Sequence, residues 1–228
     1  MSETPLSGGR VTGGVVRVAG TVRRPVKPSS ALVRTLLARL ETQGLAIAPR
    51  YLGGDELGRE TFSYLDGAVP DELDAGFDDA TLAAAARLIR AFHDATAGSP
   101  LAAGHEVVCH NDLSPCNTVF RDGVPFALID FDDAAPGARL DDLGYALFLW
   151  LNIGTDGPAP DEQARRIVVF CDAYGTPARA EIVGAIEAAV ARTLERLRAD
   201  GRTAELDWWQ AQLAWVERHG AHISRRLY

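Results

Sequence analysis

A chain of 228 residues with 47% hydrophobic and 24% charged residues has ample apolar material for a packed core, which excludes an intrinsically disordered chain. Its three cysteines, Cys109, Cys116 and Cys171, fit neither a disulfide framework nor a paired metal-ligand spacing, the opening "MSETPLSGGR" has no apolar leader core, and no apolar run reaches membrane-spanning length. A cytoplasmic protein with no membrane partner is expected, and the net charge of −8, split into nine Lys/Arg against five Asp/Glu over residues 1–65 and fourteen against twenty-six over 66–228, argues against a nucleic-acid partner.

In chain order, "GVVRVAGTVRRP" alternates around Gly20 and predicts two short strands. "SSALVRTLLARLETQG" has Ser caps and a Gly stop around a helical pattern, and "PRYLG" and "RETFSYL" read as two further strands. Residues 1–65 are therefore expected to form a small antiparallel sheet with one helix. From Asp66 onward helices dominate. "DDATLAAAARLIRAFHDAT" places Leu82, Ala85, Ile89 and Phe92 on one face, and "DEQARRIVVFCDAYG" is stopped by Gly175 and Pro177. "RAEIVGAIEAAVARTLERLRADG" and "AELDWWQAQLAWVERHG" follow, with Trp208, Leu213 and Trp215 expected in the core.

Between these helical stretches lies a different texture, in residues 107–130. "EVVC", "TVF" and "FALI" are short strand candidates, and the Asp122-Gly123 pair is a strong hairpin signal between the last two. An antiparallel hairpin brings Asn117, just before one strand, beside Asp130, just after the other, with Asp112 on the loop leading in. Two carboxylates and an amide oxygen at one point suit a hard divalent cation such as Mg2+. Neither the P-loop pattern nor Gly-x-Gly-x-x-Gly is present. "HNDLSPCN" instead has the protein-kinase spacing His-x-Asp-x-x-x-x-Asn, followed by an Asp after a strand. Separately, each of these residues has a plain structural role; together, at this spacing, they point to chemistry.

"HNDLSPCN" with "LIDFDDAAPGARLDDLGYAL" resembles the aminoglycoside phosphotransferase family of kinase-like enzymes, and in particular its short trifolitoxin-immunity-like members. The resemblance implies an α+β, two-lobed protein-kinase-like fold with a reduced β-rich front lobe (1–65) and a mainly helical back lobe (66–228). It implies a phosphotransferase using ATP or GTP with Mg2+ on a hydroxyl of a small-molecule acceptor. Asp112 would accept or orient the hydroxyl proton, Asn117 and Asp130 would hold Mg2+, and His110 and Asp142 would brace the loop. "LSGGRVTGGVVRV", with Gly8 and Gly9, looks like the glycine-rich turn over the nucleotide. Arg24, with Arg23 as its rival, stands where the family places its phosphate-binding cation, and Tyr64 and Leu65 stand at the hinge that meets adenine.

Two departures from the pattern stand out. The helix Glu that kinases pair with that cation would fall near Val33, where no acid is present, so this ion pair is expected to be missing, and Asp132 replaces the glycine of Asp-Phe-Gly. His93 is expected to pack or hydrogen-bond; His105, His219 and His222 have no partner pattern, and Cys116 reads as filler. A second reading is a non-catalytic kinase-like protein that sequesters a peptide or small toxin. Metal-dependent hydrolysis by the Asp cluster is weaker, because the order of motifs fits a kinase throughout.

Overall fold

The computed structural model describes residues 3–6, 14–71, 76–176 and 178–228; the glycine pair Gly8 and Gly9 lies outside them. Five short strands, β1 (Thr4–Pro5), β2 (Val16–Val18), β3 (Thr21–Arg24), β4 (Tyr51–Gly54) and β5 (Glu60–Ser63), form one antiparallel sheet in the order β1-β2-β3-β5-β4. A single helix, α1 (Ser30–Thr42), connects β3 to β4. Its Val33, Leu36, Leu37 and Leu40 recur at helical spacing and are buried. They share one core with Phe62 of β5 and with Leu82, Ala85, Ile89 and Phe92 of α2 (Asp79–Thr96). Helix α2 starts where Asp78 accepts the Thr81 N–H at 2.8 Å, a side-chain cap on an otherwise orphaned donor.

The central segment forms two small two-stranded sheets. β6 (Val107–Cys109) pairs with β9 (Ala135–Gly137), and β7 (Thr118–Arg121) pairs with β8 (Val124–Leu128). Asp122 and Gly123 turn the β7–β8 hairpin with φ of 52° and 78°, the double positive φ that this two-residue turn demands. Four helices complete the chain: α3 (Arg139–Trp150), α4 (Pro160–Tyr174), α5 (Ile182–Ala199) and α6 (Leu206–Ser224). The α+β architecture is the expected one, a small antiparallel sheet with one helix followed by a mainly helical part.

Two elements differ from the sequence reading. Helix α3 carries no clear polar face, because Leu143, Gly144, Ala146, Leu147, Phe148, Leu149 and Trp150 are all buried. A helix enclosed on every side leaves no amphipathic period to read. In α6 the buried set is Trp209, Gln212, Val216, Gly220 and Ile223, which turns Trp208 outward: it is 40% exposed and donates its indole N–H to Asp156 at 2.9 Å. Trp208 is thus a surface residue and Trp209 the core one, a one-residue error in helical phase. Leu213 and Trp215 are partly buried against the core.

Two glycines permit close approaches that fix the arrangement. A Cβ on Gly67 would lie 2.4 Å from the Phe120 carbonyl oxygen, where Ala68 and Phe120 exchange both backbone hydrogen bonds (2.8 and 2.7 Å). The segment leaving the front sheet is thereby clipped to the β7–β8 hairpin. A Cβ on Gly144 would lie 2.3 Å from the Ala185 carbonyl oxygen, at the crossing of α3 and α5. Gly144→Ala is expected to lower the unfolding free energy by about 1–3 kcal/mol, the usual cost of forcing an extra group into a packed contact, read by urea denaturation; an unchanged midpoint would show that the crossing can open freely.

Candidate active site

The site begins where β6 ends. Asp142, in the first turn of α3 and 1% exposed, accepts the backbone N–H of His110 at 2.6 Å on one carboxylate oxygen and that of Asn111 at 2.7 Å on the other. The same carboxylate meets His93 Nε2 at 3.0 Å, and His93 Nδ1 meets the Tyr174 hydroxyl at 2.8 Å. His93 is fully buried in this network, as expected of a hydrogen-bonded structural histidine. Two consecutive N–H groups aimed at one carboxylate force a sharp turn, and Asn111 takes it with φ 63°, a conformation its short polar side chain tolerates. Asn111 Nδ2 donates to the Asp133 carbonyl at 2.8 Å. His110 is also fully buried; its Nε2 lies 3.0 Å from the Ile129 carbonyl and its ring 4.7 Å from that of Phe131. It braces the loop against the end of β8.

Asp112 follows the turn and is half-buried. One carboxylate oxygen accepts the Tyr145 hydroxyl at 3.0 Å and the other accepts Asn117 Nδ2 at 2.7 Å. Asn117 Nδ2 also donates to the Asp112 carbonyl at 3.0 Å. Both acceptors fix the flip of the Asn117 amide, because only its NH2 side can serve them, and its oxygen is turned to the opposite side. Each Asp112 oxygen retains a lone pair for a further donor. Burial, and then the negative charge of Asp112, pushes the Tyr145 hydroxyl above its ordinary range, so it stays a proton donor to Asp112.

Across the hairpin mouth, the Ile129 N–H donates to the Asn117 carbonyl at 2.9 Å, which sets Asp130 next to Asn117 as the hairpin argument requires. Asp130 has φ 61°. Enclosure by the surrounding protein raises its pKa, and the adjacent charge of Asp132 raises it further, although the residue still opens to solvent. A carboxylate in excess negative potential and an outward-turned amide oxygen are hard donors, and they fit Mg2+, which keeps few protein ligands. Among the described residues there is no cluster of three or more His, Cys, Asp or Glu that could hold a metal ion.

The front sheet meets this mouth through charges. Asp132 accepts Arg24 Nη1 at 2.9 Å, the Lys27 ammonium and the Ser29 hydroxyl at 3.1 Å. Burial pushes the Asp132 carboxyl up, but the Lys27 hydrogen bond and the charges of Arg24 and Lys27 outweigh it and hold the group below the ordinary carboxylate range. Arg24 faces the junction, whereas Arg23, one residue earlier in the strand, reaches Asp55 at 3.4 Å. The expectation of a missing ion pair is corrected in part. The helix indeed has Val33, 2% exposed, and no acid in its first turn, yet Arg24 has a buried carboxylate partner: Glu60 of β5, 3.3 Å from Nε. The acid comes from the neighbouring strand, a contact that helix counting does not reach.

At the expected hinge, the Tyr64 N–H is already used by the Gly20 carbonyl (2.9 Å), and the Tyr64 ring lies under the Arg17 guanidinium at 3.6 Å. Leu65 is half-buried beside it. Asp78 and Asp79 at the start of α2 and Glu162 of α4 line an open recess of about 530 Å3 that does not include Asp112. Two of its acids are paired with Arg165, Asp79 at 2.6 Å and Glu162 at 2.7 Å, and Asp78 is the α2 cap. All three cysteines are free thiols. His222 pairs with Asp161 at the surface, a partner the sequence did not indicate. Tyr145, Glu60 and Lys27 were also missed; of these only Tyr145 had a local signal, three residues after Asp142 on one helix face.

A loop carrying Asp112 and Asn117, a hairpin delivering Asp130, and a front sheet with one helix define a protein-kinase-like fold. Residues 98–182 match the model of the phosphotransferase enzyme family. The chain is 35% identical over 161 residues to the trifolitoxin immunity protein of Rhizobium leguminosarum bv. trifolii, an alignment covering 64% of this chain and 59% of that protein. Among solved structures, the GDP and kanamycin complex of APH(2")-IIia superposes with a TM-score of 0.64 at 15% identity, covering 97% of this chain and 93% of that one. The microcompartment-associated aminopropanol kinase superposes with a TM-score of 0.65 at 15% identity, covering 94% and 90%. At such identities the likeness is one of fold. No helix among the described residues is long and apolar enough to cross a membrane.

Because Asp142 satisfies two buried N–H groups at once, Asp142→Ala is expected to destabilise the protein by about 2–5 kcal/mol, and Asp142→Asn by less, measured by urea denaturation. Equal, small losses would show that water replaces the carboxylate.

Proposed function

We propose that this chain is a small-molecule kinase that transfers the γ-phosphoryl group of ATP or GTP to an alcohol hydroxyl. The observation that carries this reading is the joint setting of Asp112, Asn117 and Asp130: the Asn117 amide is oriented by Asp112 on its nitrogen side, and the Asn117 backbone carbonyl is hydrogen-bonded to Ile129, the residue before Asp130. In the proposed step, Asp112 accepts the proton of the acceptor hydroxyl as that oxygen bonds to phosphorus and the nucleoside diphosphate leaves. Tyr145 and Asn117 hold the carboxylate in place. Mg2+, held by Asn117 and Asp130, would neutralise charge on the phosphates. Arg24 Nη2, buried and without a hydrogen-bond partner among the described residues, is the donor for a phosphate oxygen. Nucleotide use is supported by the GDP bound to APH(2")-IIia.

The acceptor is a hydroxyl compound, and the net acidic back lobe favours one that also carries an amine. Kanamycin and an aminopropanol in the names of the structural neighbours agree with that class. The pairing of Asp79 and Glu162 with Arg165 leaves the steering to the summed field rather than to the recess. A second reading, a kinase-like protein that sequesters a toxin without phosphorylating it, is favoured by the immunity relative.

Nucleotide titration with and without Mg2+ separates the two readings. ATP or GTP is expected to bind, Asp112→Asn to lose turnover by about 10²-fold or more with nucleotide affinity nearly kept, and Asp130→Ala to weaken the Mg2+-dependent part of binding. Absence of binding by both nucleotides under both conditions would favour sequestration. For the acceptor, a hydroxylated amine is expected to bind more weakly as salt rises from 0.1 M to 1 M, where the Debye length falls from about 10 Å to about 3 Å. Preference for a neutral or anionic analogue, or affinity indifferent to salt, would remove the electrostatic argument.

A further inference from the structure

Glu60 is a buried carboxylate, 1% exposed, and such a charge persists only where partners compensate its lost hydration. It has three. Ser30 Oγ donates to one oxygen at 2.6 Å, Arg34 Nε to the other at 2.7 Å, and Arg24 Nε lies 3.3 Å away. Arg24 and Glu60 are directly opposite residues in the β3–β5 ladder. The Arg24 guanidinium also lies 4.9 Å over the Phe62 ring, two residues along β5.

Arg24 is therefore set from three directions. Its Nε edge faces Glu60 as an ion pair, one face covers Phe62, and Nη1 reaches Asp132 across the junction, which leaves Nη2 without a carboxylate partner; among the described residues neither Nε nor Nη2 makes a hydrogen bond. In protein kinases the equivalent cation is paired with an acid on the helix, and displacement of that helix controls the pair. Here the helix contributes the opposite charge, Arg34, together with Ser30, and both grip the same strand acid.

We infer that Glu60 is a positioning residue that aims Arg24 at the nucleotide phosphates, from a strand hydrogen-bonded to Arg24's own, with α1 supplying the partners that hold the acid in place. The inference rests on the phosphotransferase reading above. It assigns to a strand residue the task that the helix acid performs elsewhere, with the helix acting on Arg24 only through Glu60.

The test compares MgATP with adenosine, which lacks phosphates, on the full chain. Glu60→Gln is expected to weaken MgATP about tenfold and adenosine by no more than about twofold, and this loss is expected to disappear in an Arg24→Ala background. Arg34→Gln, which removes the charged helix partner of Glu60 but none of Arg24's, is expected to lower Tm without changing the ratio of the two affinities. Where Glu60→Gln fails to fold, Glu60→Asp, which keeps the charge but withdraws it by one methylene, reads the same ratio. Equal weakening of both ligands, a loss that persists without Arg24, or a matching change of ratio in Arg34→Gln would overturn the assignment. If the wild-type protein binds neither ATP nor GTP, the phosphotransferase reading itself falls and takes the role of Glu60 with it; if it binds and only the ratio fails, Glu60 alone is reassigned.

Discussion

The carboxylate of Asp142 is the contact on which the rest of the site depends. It is buried in the first turn of α3, and it satisfies the N–H groups of His110 and Asn111 while meeting the His93 ring. A loop that leaves a buried strand must find partners for its backbone donors, and here one side chain from a different element supplies both. The sharp turn at Asn111 follows from this, and the turn in turn presents Asp112. Gly144, two residues after Asp142, lets α3 press against α5, so the anchor is held by the packing of the helical part and not by the loop itself.

The lobe junction is organised by charge. Asp132, two residues after Asp130, gathers Arg24, Lys27 and Ser29 from the front part of the chain. Glu60 holds Arg24 from behind. An arginine can serve two carboxylates and still offer a donor because its guanidinium presents a fixed planar fork; a lysine would offer one point charge in one direction. One arginine at this position thus joins a strand acid of the front sheet to Asp132 across the junction. The core reinforces it, since the apolar stripe of α1 packs with α2 and Phe131 in a single cluster.

Much of this was readable before any coordinates. The hairpin followed from Asp122-Gly123 between two apolar runs, and with it the approach of Asn117 to Asp130, because a two-residue turn fixes register. The stripes of α1 and α2 were legible because both helices have one wet face. Helix α3 was not, since it is enclosed all round, and Trp208 was misplaced because a phase error of one residue rotates a side chain by about 100°. Glu60 was overlooked for a different reason: its partner lies across a strand ladder, and pairing between strands separated by a helix leaves no mark at any fixed sequence distance.

The sequence by itself determined the candidate set, Asp112, Asn117 and Asp130, because their spacing is local: a loop, one turn of chain and one hairpin bring them together through short-range geometry alone. It also determined the α+β division into a small sheet and a helical remainder, through the two periodicities of its apolar residues. Only the tertiary structure decided which charges face one another. That Arg24 rather than Arg23 looks into the junction, that Glu60 and Asp132 both bind it, and that the acids of two distant segments are balanced by Arg165 depend on strand order, pleat and helix packing. Long-range electrostatic partners are set by where the backbone places two residues in space, and that placement is the outcome of burying the whole core at once.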